Sequence, residues 1–110
     1  MLKMDMEYNH GILFVRLDGI LNRSTSYKLN NYLVPVILKH KIKYLVYNCF
    51  LLEDIDECGL NAIINTKYAI KTNKGKMYVC EIANEYEKKF KKAGLKETSS
   101  ELTALNLLKI

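Results

Sequence analysis

Asp54, Asp56, Glu57 and Cys58 place the densest chemistry in this 110-residue chain. Three carboxylates within four positions suit a divalent cation or acid–base work. A thiol at the start of a helix sits where thiolate is favoured. Capping accounts for the acids more simply: Asp56 is a good N-cap, and Glu57 complements the helix dipole from the first turn. Glu57 also disfavours a neighbouring thiolate, which weakens a redox-sensor reading of Cys58. Cys49, Cys58 and Cys80 are odd in number and lack C-x-x-C spacing, so free thiols and no metal ligation are expected. Cys49 and Cys80 fall in apolar runs and are expected in the core. His10 and His40 have no Ser or Cys with Asp at a nucleophile spacing, so no catalytic residue is expected. Ser24, Thr25 and Ser26 read as a helix cap.

The elements that must position these groups belong to one domain spanning residues 1–110. An apolar fraction of 49%, with one Pro and five Gly, builds a core without linkers or disulfide staples. No apolar run reaches the ~18–20 residues needed to cross a bilayer. The N-terminus has no secretory pattern, so cytoplasmic residence is expected. Seventeen basic against twelve acidic residues give a net charge of +5. The densest basic cluster, Lys88, Lys89, Lys91 and Lys92, falls on the solvent side of a helix whose Tyr86 and Phe90 face the core. Neither a nucleic-acid nor a membrane partner is therefore expected, and no cofactor.

Leu2–Glu7 and Ile12–Leu17, separated by Asn9-His10-Gly11, read as a hairpin. Leu29, Leu33, Val36 and Ile37 recur at helical spacing to Lys39, with Pro35 expected to bend or end that helix. Ile42–Phe50 reads as a central strand buried on both faces, ended by Asp54–Cys58. A helix from Cys58 to Thr72 follows, stopped by Gly75, then a strand from Met77 to Ile82. Asn84–Ala93 reads as a helix closed by Gly94, Leu95–Thr98 as a short edge strand, and Ser100–Ile110 as a last helix. Strands alternating with helices after a hairpin predict an α/β fold: a mixed, mostly parallel sheet of about four to five strands with helices packed against it.

At 100° per residue, Cys58, Asn61, Ala62 and Asn65 share one sector of the Cys58–Thr72 helix, and Leu60, Ile63, Ile64 and Ile70 the opposite one. The apolar side is expected to cover the sheet, leaving the small, weakly polar side outward. Lys67 falls in the apolar sector and fits if its stem snorkels to the edge.

Two stretches carry a family resemblance. Val15-Arg16-Leu17-Asp18-Gly19-Ile20-Leu21-Asn22 resembles a strand ending in L-x-G-x-L-D, and Asp56-Glu57-Cys58-Gly59-Leu60 resembles a helix start D-S-S-G-L. Both belong to the STAS domain family of bacterial anti-sigma factor antagonists and their relatives, and the order of elements follows it from about residue 5 to residue 110. The resemblance implies a protein-binding regulator and no enzyme. Its partner would be an anti-sigma factor or related serine kinase, met by a face comprising Asn22, Arg23, Ser24, Asp56, Glu57, Cys58, Asn61 and Asn65. It also implies that the second serine of the motif accepts phosphate from that kinase. Cys58 stands at that position, Glu57 at its neighbour, and Asn22 at the family's aspartate.

Two readings of those departures stay open. Cys58 keeps the shape of an unmodified serine but takes no phosphate in the serine-kinase reaction, which would leave the surface always competent to bind. Glu57 adds a fixed negative charge that would hold it always off, although a carboxylate carries less than the ≈ −1.5 to −2 of a phosphate. The first is favoured. An alternative from another class is a degenerate scaffold that self-associates or assembles with larger STAS proteins. Nucleotide or small-ligand binding at the helix N-terminus lacks a Gly-rich phosphate loop to support it.

Overall fold

A computed structural model describes residues 1–108. Strands β1 (Leu2–Asn9) and β2 (Ile12–Leu21) form the expected hairpin. Its connecting residues His10 and Gly11 both have positive φ, 53° and 82°, as a two-residue type I′ turn requires. A π-helical turn, Lys28–Leu33, runs into α1 (Val34–Lys39). There follow β3 (Tyr44–Ile55), α2 (Glu57–Thr72), β4 (Lys76–Cys80), a 3₁₀ turn at Asn84–Tyr86 leading into α3 (Glu87–Lys92), β5 (Glu97–Thr98) and α4 (Glu101–Leu107). The strands lie in the order β1-β2-β3-β4-β5, parallel except for β1. The chain is thus a mixed, mostly parallel α/β sheet with β3 at its centre, as the sequence pattern predicts.

Several boundaries differ for identifiable reasons. Pro35 does not end its helix: it occupies the first turn of α1, where its missing N–H matters least, and the wide π turn precedes it. Ser24–Ser26 do not cap that helix through a side chain. β3 continues past Phe50 because Leu51, Leu52, Asp54 and Ile55 pair with Asp18–Leu21 of β2 across register shifts. β4 stops at Cys80, where Glu81 takes a positive φ of 58°. The edge strand shrinks to Glu97–Thr98, and Asn84–Ala93 divides into the 3₁₀ turn and α3. α4 begins as expected, with Ser100 Oγ accepting from the Thr103 N–H at 3.1 Å, and the last two residues of that expectation lie outside the described ones.

Alternation along the strands divides the core in two. Leu13, Val15, Leu17, Leu45, Tyr47, Cys49 and Val79 face α1, α2 and α3, which contribute Ile37, Ile63, Ile70 and Phe90. Tyr47 is fully buried, and its hydroxyl is satisfied by Thr66 Oγ1 at 2.7 Å. The opposite face is thinner: Ile12, Phe14, Val46 and Cys80 lie under Ala104 and Leu108. β3 is therefore not buried along both faces, since Tyr44 and Asn48 are half-buried and Phe50 is exposed. Arg16 holds α4 onto this face. Its guanidinium donates twice to Glu101, at 2.8 Å each, while Asn48 donates to the same carboxylate at 2.8 Å and Asp5 and Glu7 take the remaining charge. Nothing in the local sequence pattern announces this clamp.

The three helix-to-strand turns repeat one device. The Ile42, Gly75 and Leu95 N–H groups donate back to the carbonyls of Ile37, Ile70 and Phe90, five residues earlier, at 3.0, 2.9 and 3.1 Å. The preceding residues Lys41, Lys74 and Gly94 have φ of 52°, 61° and 77°. The Asn73 carboxamide ties the first two turns together, donating to the carbonyls of Ile37 and Ile42 at 3.0 and 2.8 Å.

At the other end of the sheet, the first turn of α2 presses against β2. A Cβ on Gly59 would lie 2.2 Å from the Leu21 carbonyl oxygen and 2.9 Å from Ile55 Cγ1. The Leu21 contact is backbone, which has no room to yield, and the Ile55 side chain closes the other approach. Gly59→Ala is therefore expected to destabilise the fold by about 1–3 kcal/mol in urea denaturation; wild-type stability would disprove the close approach. A second prediction concerns Glu101, whose carboxyl is held below its usual range, chiefly by the Arg16 hydrogen bonds. A carboxylate depressed on folding stabilises fully above its unfolded pKa, ~4.3, and loses that contribution as pH falls through the folded value. Glu101→Gln should cost about 1 kcal/mol near neutral pH, a figure reduced for partial exposure. The gap to wild type should close in acid, as followed by urea denaturation across a pH series.

Candidate functional site

β2 ends at Leu21, and the chain turns on Asn22. Its side-chain carbonyl accepts from the N–H groups of Ser24 and Thr25 at 2.9 and 3.2 Å, the local bonding that makes Asn a turn residue. In return the Asn22 N–H donates to Thr25 Oγ1 at 2.9 Å, and the Thr25 hydroxyl donates to the Ile20 carbonyl at 2.8 Å. Arg23 and Ser24 are left at the exposed apex. The serine and threonine cluster thus shapes a turn, with Ser26 buried beneath it.

Asp56 joins this turn to α2. Its Oδ1 accepts from the Gly59 N–H at 2.8 Å, the expected N-cap bond, and its Oδ2 accepts from the Arg23 N–H at 3.0 Å. One carboxylate thereby fixes the spacing between two loops 33 residues apart in sequence. These amides, Gly59 first, hold the Asp56 carboxyl below its ordinary range. The Asp56 N–H itself donates to the Leu21 carbonyl at 3.3 Å. Glu57 and Cys58 then stand exposed in the first turn of α2.

Further along α2, Asn61 and Asn65 are exposed as expected, and Asn65 donates from its carboxamide to Asn30 on the π-helical turn at 3.1 Å. The outward stripe is Cys58, Asn61, Asn65, Tyr68 and Thr72, at spacings of three and four. Ala62 is not part of it. It is fully buried, because it borders Ile63 on the wheel and its small side chain lets the helix settle against the core. Ile63 and Ile70 are buried as expected, while Leu60 and Ile64 are half-buried. Lys67 lays its stem along the edge and donates from Nζ to the Gly94 carbonyl at 2.9 Å.

The candidate residues therefore gather on one surface: Asn22, Arg23 and Ser24 on the turn, Asp56, Glu57 and Cys58 at the start of α2, and Asn61 and Asn65 along it. Sequence reasoning missed Asn30, whose partner Asn65 lies 35 positions away and leaves no local trace. It missed Tyr68 too, although the three-residue step from Asn65 points to it. Two acids of the cluster, Asp54 and Asp56, are committed to protein donors. Asp54 accepts from the Tyr86 hydroxyl at 2.7 Å, a bond that pushes the phenol up to about 12, and from the Ile55 N–H at 2.9 Å. Burial pushes the thiols of Cys49 and Cys80 up to about 12, as suits the core positions expected of them. What remains outward is a ridge of carboxamides and one thiol beside Glu57, able to offer donors and acceptors to another macromolecule.

Comparison with known proteins fits this geometry. The sequence profile of the STAS domain matches residues 3–106. An anti-sigma F factor antagonist from Paenibacillus polymyxa is 30% identical over 81 residues, which are 74% of this chain and 69% of the relative. Among solved structures, an anti-sigma factor antagonist from Mycobacterium paratuberculosis superposes with a TM-score of 0.84 at 15% identity, covering 100% of this chain and 96% of its own. The Bacillus cell fate determinant SpoIIAA in its phosphorylated form gives 0.78 at 13% identity, covering 99% and 100%. Those two show the shared fold, and the profile and the Paenibacillus relative show the lineage: the chain belongs to the STAS domain family, with anti-sigma factor antagonists as its relatives.

Proposed function

We propose that this domain is an antagonist module that docks an anti-sigma factor or related serine kinase through the ridge from Asn22–Ser24 to Asn65, and that its docking is not governed by a phosphoserine. The observation that carries the reading is the Asp56 bridge, which makes the β2 turn and the start of α2 one rigid surface. Rigidity matters because a surface ordered before the encounter loses less entropy on binding. The Paenibacillus relative, named an anti-sigma F factor antagonist, supports the class of partner.

The absence of a serine at position 58 supports the second half. A thiol keeps the size of the hydroxyl but does not serve a serine kinase, so the ridge keeps its unmodified shape. Glu57 contributes one negative charge, less than a phosphate's ≈ −1.5 to −2, and it stands a residue away from the thiol. On this reading the domain is permanently competent to bind. Thr25 offers no ready substitute phosphosite, since its hydroxyl is already bonded to the Ile20 carbonyl and the Asn22 N–H.

Immobilised domain should retain an anti-sigma kinase from the native cytosol, identified by mass spectrometry. Asn61→Arg, which puts a long cation in the middle of the ridge, should weaken capture at least about tenfold, or ~1.4 kcal/mol, with an unchanged melting temperature. Undiminished capture by that folded variant would remove the proposed face. With the captured kinase and ATP, the wild-type domain should gain no phosphate mass while Cys58→Ser does. Phosphorylation of the wild type would refute the missing switch without touching the docking face.

A further inference from the structure

The three helix-to-strand turns lie at the pole of the sheet opposite the ridge, where the parallel strands begin. Ile12, Tyr44 and Lys76 are in register there. The first turn carries Lys39, Lys41 and Lys43, the second Lys71, Lys74 and Lys76, and the third adds Lys96. Their proximity is fixed by backbone: the Lys76 N–H donates to the Lys43 carbonyl at 2.8 Å, and Asn73 bonds across the first two turns. Segments 38–43 and 71–76 contain no Asp or Glu. All ion pairs among the described residues belong to Arg16, so none of these ammonium groups has a carboxylate of a described residue within 4.0 Å.

Fold stability does not account for this arrangement. Lys41 and Lys74 occupy the left-handed position of their turns, which favours glycine, and Gly94 fills it in the third. Lysine at two of three equivalent glycine-favouring positions puts charge where the backbone resists it. Beside the first turn, Met6, Tyr8, Val36 and Leu38 are exposed, and a shallow groove joins the first three to Leu13 and Ile42. Both arginines lie elsewhere, Arg16 in its carboxylate clamp and Arg23 on the ridge, so the pole lacks the forked donor that nucleic-acid recognition favours.

We infer that this pole is a docking surface for an anionic lipid bilayer. Lysines meet the headgroup phosphates, and the flanking Tyr8, Val36 and Leu38 enter the boundary above the acyl chains. Such a pose goes beyond the antagonist reading and leaves the ridge facing solution. A duplex nucleic acid would use the lysines but have no use for the apolar flank.

Co-sedimentation with phosphatidylcholine vesicles, with and without about one-third phosphatidylglycerol, tests the inference. The domain should pellet with the anionic vesicles and not with the neutral ones, and be released as salt rises from ~0.05 to ~0.5 M. Each lysine near the surface contributes about fivefold, so the double variant Lys41→Gly/Lys74→Gly should bind about 25-fold more weakly. Its melting temperature should be no lower than wild type, because glycine accepts the left-handed conformation freely, and that separates lost binding from lost folding. Equal binding to both vesicle types, or wild-type binding by the double variant, would overturn the inference. Release from vesicles by duplex DNA at equal phosphate concentration would do so in favour of nucleic acid.

Discussion

The packing of the α2 N-terminus against the end of β2 is the contact on which the rest of the surface depends. Two chains of atoms meet where no Cβ fits, at Gly59 against the Leu21 carbonyl, and the Asp56 N–H binds that same carbonyl. Only this proximity lets the Asp56 side chain reach the Arg23 amide as well as Gly59. Apolar burial along α2 supplies the force that holds the helix down, through Ala62, Ile63, Ala69 and Ile70. Burial alone would allow sliding. The glycine contact and the carboxylate bridge fix the helix along its axis, which sets where Cys58 and Asn61 stand relative to the β2 turn.

Much of the architecture was legible because it rests on local rules. The hairpin announced itself at Asn9-His10-Gly11, the central strand by its apolar run, and the start of α2 by Asp56 followed by a helical pattern. What escaped has non-local causes. The strand reads as ending at Phe50, with a break at Asp54–Cys58 where acids crowd in, yet pairing with β2 keeps the chain in the sheet as far as Ile55. Ala62 lies at the border between two sectors of a helical wheel, and only the depth of the neighbouring core decides its side. The clamp between Arg16 and Glu101 spans 85 positions, so no window of sequence contains it. The candidate residues themselves came largely from family resemblance, and the geometry gives each a definite place on one surface.

Charge is distributed along the length of the molecule as unevenly as shape. The ridge end holds Asp54, Asp56 and Glu57, and the far end holds the lysines of the connecting turns. A net charge of +5 conceals this separation, since a sum carries no position. Surface charges farther apart than ~8–10 Å are largely screened at physiological salt, so each end meets its surroundings as an independent electrostatic object. One small domain can therefore offer chemically different surfaces without conflict between them.

The Asn73 carboxamide has a consequence for how the molecule comes apart. By binding the Ile37 and Ile42 carbonyls, it makes the end of α2 complete the turn between α1 and β3. Opening the first turn strands the Asn73 carboxamide, and lifting the end of α2 takes a donor from the Ile42 carbonyl, so the two belong to a single cooperative unit. The hairpin strand β1 and the short α4 lie outside that unit. Amide exchange in the α1–β3–α2–β4 block would thus proceed through one concerted opening, with the periphery fraying first.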